Sequence, residues 1–270
     1  MTDQCFSDAD ALMYDDGMSD WPGEIDYYLQ LASAAREKGQ AVLDIACGTG
    51  RVALKLARSG VRVVGMDLAP DMLAVAQQKT KGLPNLRWVQ ADMRAFDLSE
   101  RFGLVIIPVH SFQFMLTPQD QMDCLQAIRR HLLPGGLLVI HCDQVDHAWM
   151  GEIRPEKDPP FVAGGIDIHP QTGARMRTLL KWVYELSTQT ATLFKVWEEL
   201  DKEDIVINRL ELEPMPMHVV FRFEMEHLLR RAGLHVLHTY GDFYEHPYAE
   251  DSTNMIWLAR EPKQEQNKLS

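Results

Sequence analysis

The run AVLDIACGTGRV at residues 41–52 constrains this chain more than any other. Ala41, Val42, Leu43 and Ile45 are apolar around Asp44 and lead to glycine, the pattern of a short buried strand in a parallel sheet. Gly48 and Gly50 lack a Cβ, so the backbone can turn sharply there and lie against a ligand. Val52, Leu54, Leu56 and Ala57 then recur at helical spacing. A strand, a glycine turn and a helix start leave amides unpaired at a positive dipole end. That is a ready site for a polar, partly anionic ligand.

The glycine spacing in GTGRVA also fits the dinucleotide fingerprint. Asp44, four residues before Gly48, separates the two readings. A carboxylate at that place repels a pyrophosphate and welcomes a cationic amine. The segment resembles the first motif of class I S-adenosylmethionine-dependent methyltransferases of the small-molecule type, which act on sugar amines and natural products at nitrogen or oxygen. Their cofactor carries an amino acid head and a sulfonium. The resemblance implies an α/β fold: a Rossmann-like, seven-stranded, mostly parallel sheet with helices on both faces, plus an inserted antiparallel sheet that roofs the active site.

Downstream segments extend it. Residues 61–66 are a second apolar strand closing on Asp67, where a carboxylate can accept hydrogen bonds from both ribose hydroxyls of an adenosine. Pro70 and Asp71 open the next helix, with Leu68 and Met72 placed to cover an adenine face. Residues 86–90 make a third strand, followed by Ala91, Asp92 and Met93; by resemblance, Asp92 takes the adenine amino group and the next amide serves a ring nitrogen. The fourth strand, residues 102–109, leads through Val109 into His110, Ser111, Phe112, Gln113 and Phe114, bordering the reactive methyl. LLPGGLLVI resembles the hairpin-like entry to strand five, expected at residues 137–141. The resemblance also implies that Tyr14 and Asp15 fold over the cofactor, with Tyr14 near the methyl-donor end. Tyr14, Asp44, Ala46, Gly48, Gly50, Asp67, Leu68, Met72, Asp92, Met93 and Val109 form the expected cofactor set.

Residues 1–40 are expected to be an arm and helix over the cofactor site, the helix running from Pro22 to Gly39. The core is expected in 41–173 and 224–261. In 174–223 two alternating runs, Met176 to Tyr184 and Met217 to Phe223, with two more between them, predict four antiparallel strands inserted as a substrate cover or a dimerisation surface. Prolines and glycines at 155–165 predict an irregular connection before them. Residues 224–232 read as a helix, 234–240 and 255–259 as strands six and seven, and 262–270 as a polar tail.

A net charge of −12 argues against nucleic acid as the main partner, since phosphate binding calls for a basic face. No apolar run reaches membrane-spanning length, and the acidic start lacks a signal pattern. Cys5, Cys47, Cys124 and Cys142 form no C-x-x-C pair, as expected of reduced thiols in a cytoplasmic protein.

A sulfonium is an activated donor, so the protein's task is to bind, align and desolvate. A general base matters when the acceptor arrives protonated. His110 is the first candidate, and His141 with Asp143 at the end of strand five the second. His110, Phe114, Trp182 and His218 are the expected acceptor contacts. No metal is expected, because no recognisable ligand spacing joins His110, His141 and Asp143. The expected partner is a small-molecule methyl acceptor, with a homodimer as an option. The competing functions are a nicotinamide-dependent oxidoreductase, for which no Tyr-x-x-x-Lys is present, and a catalytically silent cofactor-binding scaffold.

Overall fold

A computed structural model describes residue 11 and residues 14–15, 19–144, 146–169 and 172–262. The first helix, α1 (Glu24–Glu37), precedes alternating strands and helices: β1 (Val42–Ile45), α2 (Arg51–Arg58), β2 (Val63–Asp67), α3 (Pro70–Gln78), β3 (Leu86–Gln90), β4 (Phe102–Ile107), α4 (Pro118–His131) and β5 (Leu132–Asp143). The chain then adds α5 (His147–Glu152) and five strands, β6 (Val162–Ile168), β7 (Arg175–Glu185), β8 (Thr190–Leu200), β9 (Val206–Glu211) and β10 (Met215–His218). It closes with α6 (Arg222–Arg231), β11 (His235–Tyr240) and β12 (Asn254–Arg260).

The core sheet has the order β11-β12-β5-β4-β1-β2-β3, and only β12 runs against its neighbours. Alternate side chains of each strand face opposite layers. Leu43, Ile45, Val105 and Ile107 join Met122, Leu125 and Ile128 of α4 and Met225 and Leu229 of α6 in one cluster. Val42, Leu104 and Ile106 join Tyr28 and Ala32 of α1 and Val52 and Leu56 of α2 in the other. The sheet is therefore covered on both faces, as the near-continuous apolar strands require.

The second sheet has the order β10-β8-β7-β6, with β9 also paired to β8, all antiparallel. Its extent differs from the expectation. It has five strands and begins at Val162, because Gly164 and Gly165 make an irregularity inside β6 instead of breaking it. Its far end stops at His218. Phe221 and Phe223 do not extend a strand: the Glu224 carboxylate accepts the Phe221 N–H at 3.2 Å and starts α6, leaving Phe223 on the helix surface. The LLPGG segment also lies within β5, as a register shift opposite Phe102 and Leu104, not ahead of the strand. The polar tail beyond residue 262 and most of the N-terminal arm lie outside the described residues.

Candidate active site

β1 delivers Asp44 to the carboxyl edge of the sheet, completely buried. Neither of its carboxylate oxygens has a hydrogen-bond partner among the described residues. Burial raises its carboxyl to about 8; Arg51 and the backbone N–H of Ala53, close by but not aligned as a full hydrogen bond, oppose the rise, while Glu24 and Asp67 add to it. A buried carboxyl group with lone pairs left open is a vacancy for a donor, and a primary ammonium fits it in hydrogen-bond number and, by favouring the ionised form, in charge.

The glycine turn follows, with Ala46, Gly48 and Gly50 all in the left-handed region at φ 54, 55 and 85°. Gly48 faces Tyr14, whose ring lies 3.7 Å from where a Cβ would stand. At Gly50 the missing side chain has a second use, inside the fold. A Cβ there would meet Trp88 at 2.5 Å, so the missing side chain makes room for that ring, and the positive φ is the second reason for glycine. Asp67 is fixed by the turn it serves: Oδ2 accepts the Gly48 N–H at 2.7 Å and Oδ1 the Ala69 N–H at 2.9 Å. Burial still raises its carboxyl against these backbone donors and the Leu68 N–H, and lone-pair capacity remains for a hydroxyl.

Two members of the expected adenine site are otherwise engaged. Met72 is buried against Ala11, Ala69, Val75 and Tyr14, because α3 turns that face inward; Leu68 remains exposed. Asp92 is held by Arg94, which donates to both carboxylate oxygens and also reaches Asp120 at 3.1 Å. The Arg94 hydrogen bonds hold its carboxyl below the usual range. A base that takes Asp92 as partner must share it with a guanidinium that the motif did not reveal. Met93 and Phe114 are partly buried and pack against the apolar cluster of the sheet.

The other half of the site sits beyond β4 and β5. Val109 and His110 are both left-handed, at φ 53 and 60°. For β-branched Val109 this is a true outlier, and such strain costs about 1–3 kcal/mol per residue. The turn lets the His110 N–H donate to the His141 carbonyl at 3.1 Å and brings the two imidazoles to 4.6 Å between centroids. His141 Nε2 lies 2.8 Å from Asn254 Oδ1, whose amide nitrogen donates to Thr253, so Nε2 carries the proton and Nδ1 is bare. His110 Nδ1 stands 3.2 Å from Asp143 Oδ1, without hydrogen-bond alignment. Burial lowers His110 to about 4 and His141 to about 3, the latter helped by His110. Both rings are therefore neutral hydrogen-bond partners near pH 7 and weak bases. Asp143, half-exposed at the rim, is raised to about 6 by burial and is the stronger proton acceptor of the three.

Trp182 and His218 do not converge. In the register of β7, β8 and β10, His218 stands in one row with Thr190 and Glu185, whereas Trp182 stands with Leu193 and Met215. Odd spacing along β7 puts these rows on opposite faces. Trp182 packs beside Met150, Ile153 and Tyr184. His218 is buried on the face toward the core, with Nε2 3.0 Å from Glu224 and its carbonyl accepting from Gln113 at 3.3 Å. Gln113 also accepts the Asp143 N–H at 3.0 Å, so one buried amide ties the second sheet to the end of β5.

Residues that the sequence reading passed over complete the site. Arg51 makes a two-pronged pair with buried Glu24 at 2.6 and 2.8 Å and reaches Asp20 at 2.7 Å. An arginine in the first turn of a helix opposes the dipole, and that misfit was the available signal of a special partner. Trp21 lies under Arg51 and makes T-shaped contacts with both histidines. No group of three or more His, Cys, Asp or Glu side chains is placed to hold a metal ion among the described residues, and none of their helices is long and apolar enough to cross a membrane.

A parallel sheet with one reversed strand, a glycine turn after β1 and carboxylates at successive strand ends define the class I S-adenosylmethionine-dependent methyltransferase fold. Residues 42–136 match a family model described as a methyltransferase domain. The chain is 34% identical over 130 residues to the putative methyltransferase YqeM of Bacillus subtilis, covering 48% of this chain and 52% of that one. It is 32% identical over 146 residues to dTDP-3-amino-3,6-dideoxy-alpha-D-glucopyranose N,N-dimethyltransferase of Streptomyces fradiae, covering 52% and 53%. The chain thus spans about half the length of the curated relatives it matches. Among solved structures, an S-adenosylmethionine-dependent methyltransferase from Clostridium acetobutylicum superposes with a TM-score of 0.73 at 17% identity, covering 93% of this chain and 96% of that one.

Proposed function

We propose that this protein transfers a methyl group from S-adenosylmethionine to nitrogen or oxygen of a small metabolite, of the amino sugar, amine or phenol kind. The unpaired buried carboxylate of Asp44 at the glycine turn carries the reading. It suits the ammonium of an amino acid head and is badly placed for a dinucleotide pyrophosphate. When bound, the cofactor supplies a methyl carbon already activated by a sulfonium. The chain's own residues do the rest. Asp44 holds the ammonium, Asp67 offers its remaining lone pairs to ribose hydroxyls, Leu68 covers an apolar ring, and Tyr14 closes over Gly48. The neutral His110 and His141 rings orient the acceptor, and the Asp143 carboxylate takes the proton that an ammonium or hydroxyl acceptor must lose. The relative from Streptomyces fradiae is named for amino-sugar dimethylation, which favours nitrogen as the receiving atom. The buried free thiols Cys47, Cys124 and Cys142 favour a cytoplasmic setting.

Calorimetry tests the reading. Wild type binds S-adenosylmethionine and its demethylated product, and Asp44→Asn weakens both by about 10- to 100-fold, the worth of a charge-assisted hydrogen bond of roughly 1.5–3 kcal/mol. Binding of NADH in place of either ligand would restore the oxidoreductase. Labelled donor incubated with a metabolite extract separates an enzyme from a silent scaffold, which yields no labelled product.

A further inference from the structure

Trp21 occupies the seam between the two halves of the site. Its ring centroid is 5.8 Å from the Arg51 guanidinium carbon, and its ring meets His110 at 5.5 Å and His141 at 5.4 Å, tilted by 75° and 85°. One indole thus spans from the first residue after the glycine turn to the side chains beyond β4 and β5. Its backbone N–H donates to Glu24 Oε2 at 3.2 Å, and the same carboxylate grips Arg51, so the residue is anchored at its backbone while its side chain is only partly buried.

Resting on the methyl-donor reading above, we infer that Trp21 is the wall on which the donor's sulfonium rests, so that the site distinguishes the charged donor from its neutral thioether product. The two fixed ends of the donor bracket this position. Its ammonium belongs at Asp44, next to Arg51, and its transferable carbon must face the acceptor groups His110, His141 and Asp143. An aromatic face attracts a cation within about 6 Å of its centre, more strongly the less water is present. The Arg51 contact shows this ring accepting a cation, and Glu24 matches that guanidinium, so a second cation beside it meets little net positive charge. Once the methyl has left, the thioether carries no charge and the attraction vanishes, which favours release of the product.

The test needs no knowledge of the acceptor. Dissociation constants for S-adenosylmethionine and S-adenosylhomocysteine are measured by calorimetry at one pH and salt concentration for wild type, Trp21→Phe and Trp21→Leu, with melting temperatures to confirm folding. Trp21→Leu should weaken the sulfonium ligand by about 3- to 30-fold and leave the thioether within about twofold, with Trp21→Phe between. Equal loss of both ligands, or loss of neither, overturns the inference. Should the leucine variant not fold, the Trp, Tyr, Phe series carries the same ratio, and a flat ratio overturns it equally. Wild type binding neither ligand would instead remove the reading on which the inference stands.

Discussion

The core strands β1 and β4 are buried at every residue, whereas β6 and β9 of the second sheet are exposed along their whole length. The first sheet is held by apolar layers on both faces; the second leans on cross-strand rows such as Arg177, Glu198 and Arg209, in which one buried carboxylate accepts from two guanidinium groups across three strands. The contrast explains where chemistry can be stored. An unpaired carboxylate at Asp44 and two left-handed residues at Val109 and His110 are unfavourable, and only an over-determined scaffold keeps them. The looser sheet touches the site chiefly through Gln113 and His218, where loop and strand side chains can vary to suit an acceptor.

The largest expected effect lies at Asp44. In the folded chain it keeps its proton up to about pH 8, while in the unfolded chain it ionises near 4, so the ligand-free fold loses stability as pH rises from about 4 to 8. Asp44→Asn should raise the stability of the ligand-free protein at pH 8 by several kcal/mol, an upper figure on the order of 5, while weakening donor binding. Thermal unfolding against pH checks this. If the asparagine variant melts lower than wild type, the core does not hold the strain assigned to it.

Next come the histidines, whose shifts run the other way. In the unfolded chain they bind protons below about 6.5, but in the folded one His110 resists to about 4 and His141 to about 3. Their contribution is present above about pH 6.5 and is lost as pH falls toward 4 for His110 and toward 3 for His141, at most on the order of 3 and 5 kcal/mol at the acid end. His141→Gln should flatten that acid limb in urea titrations, and an unchanged limb would mean that the rings are already solvated.

In the second sheet, Glu198→Gln should loosen β7, β8 and β9 by about 1–3 kcal/mol, seen as faster amide exchange there, with donor affinity unchanged. A change in donor affinity would show that the two sheets are not separable. The smallest effect is at the arm. Lys79 pairs with Asp15 at 2.6 Å, and Asp15 also accepts from Thr49 of the glycine turn. Both charges are partly exposed, so Lys79→Met should cost under about 1 kcal/mol of donor affinity, and less still at high salt.

Much of the site was legible where chain order fixes position. Asp44, Gly48 and Asp67 follow from strand, turn and strand end, because in a parallel sheet each strand's carboxyl end reaches the same edge. The same logic put His110 after strand four and His141 at the end of strand five, although nothing local announced the left-handed Val109 that brings the two rings together. What chain order could not show is where a neighbour from elsewhere in the fold also engages the group. Arg94 holds Asp92, Trp88 fills the space at Gly50, and Met72 packs beneath Tyr14. Glycines at 164 and 165 read as a break, yet an edge strand tolerates them as an irregularity.

Sequence alone determined the layered core and the order of its strand-end carboxylates, since hydrophobic period and glycine punctuation act between residues close in the chain. Only the tertiary structure decided which of those carboxylates is left without a partner, and that Trp21 bridges Arg51 to two histidines. These are contacts between segments tens of residues apart, and their geometry is set by how the layers pack, which no local pattern encodes.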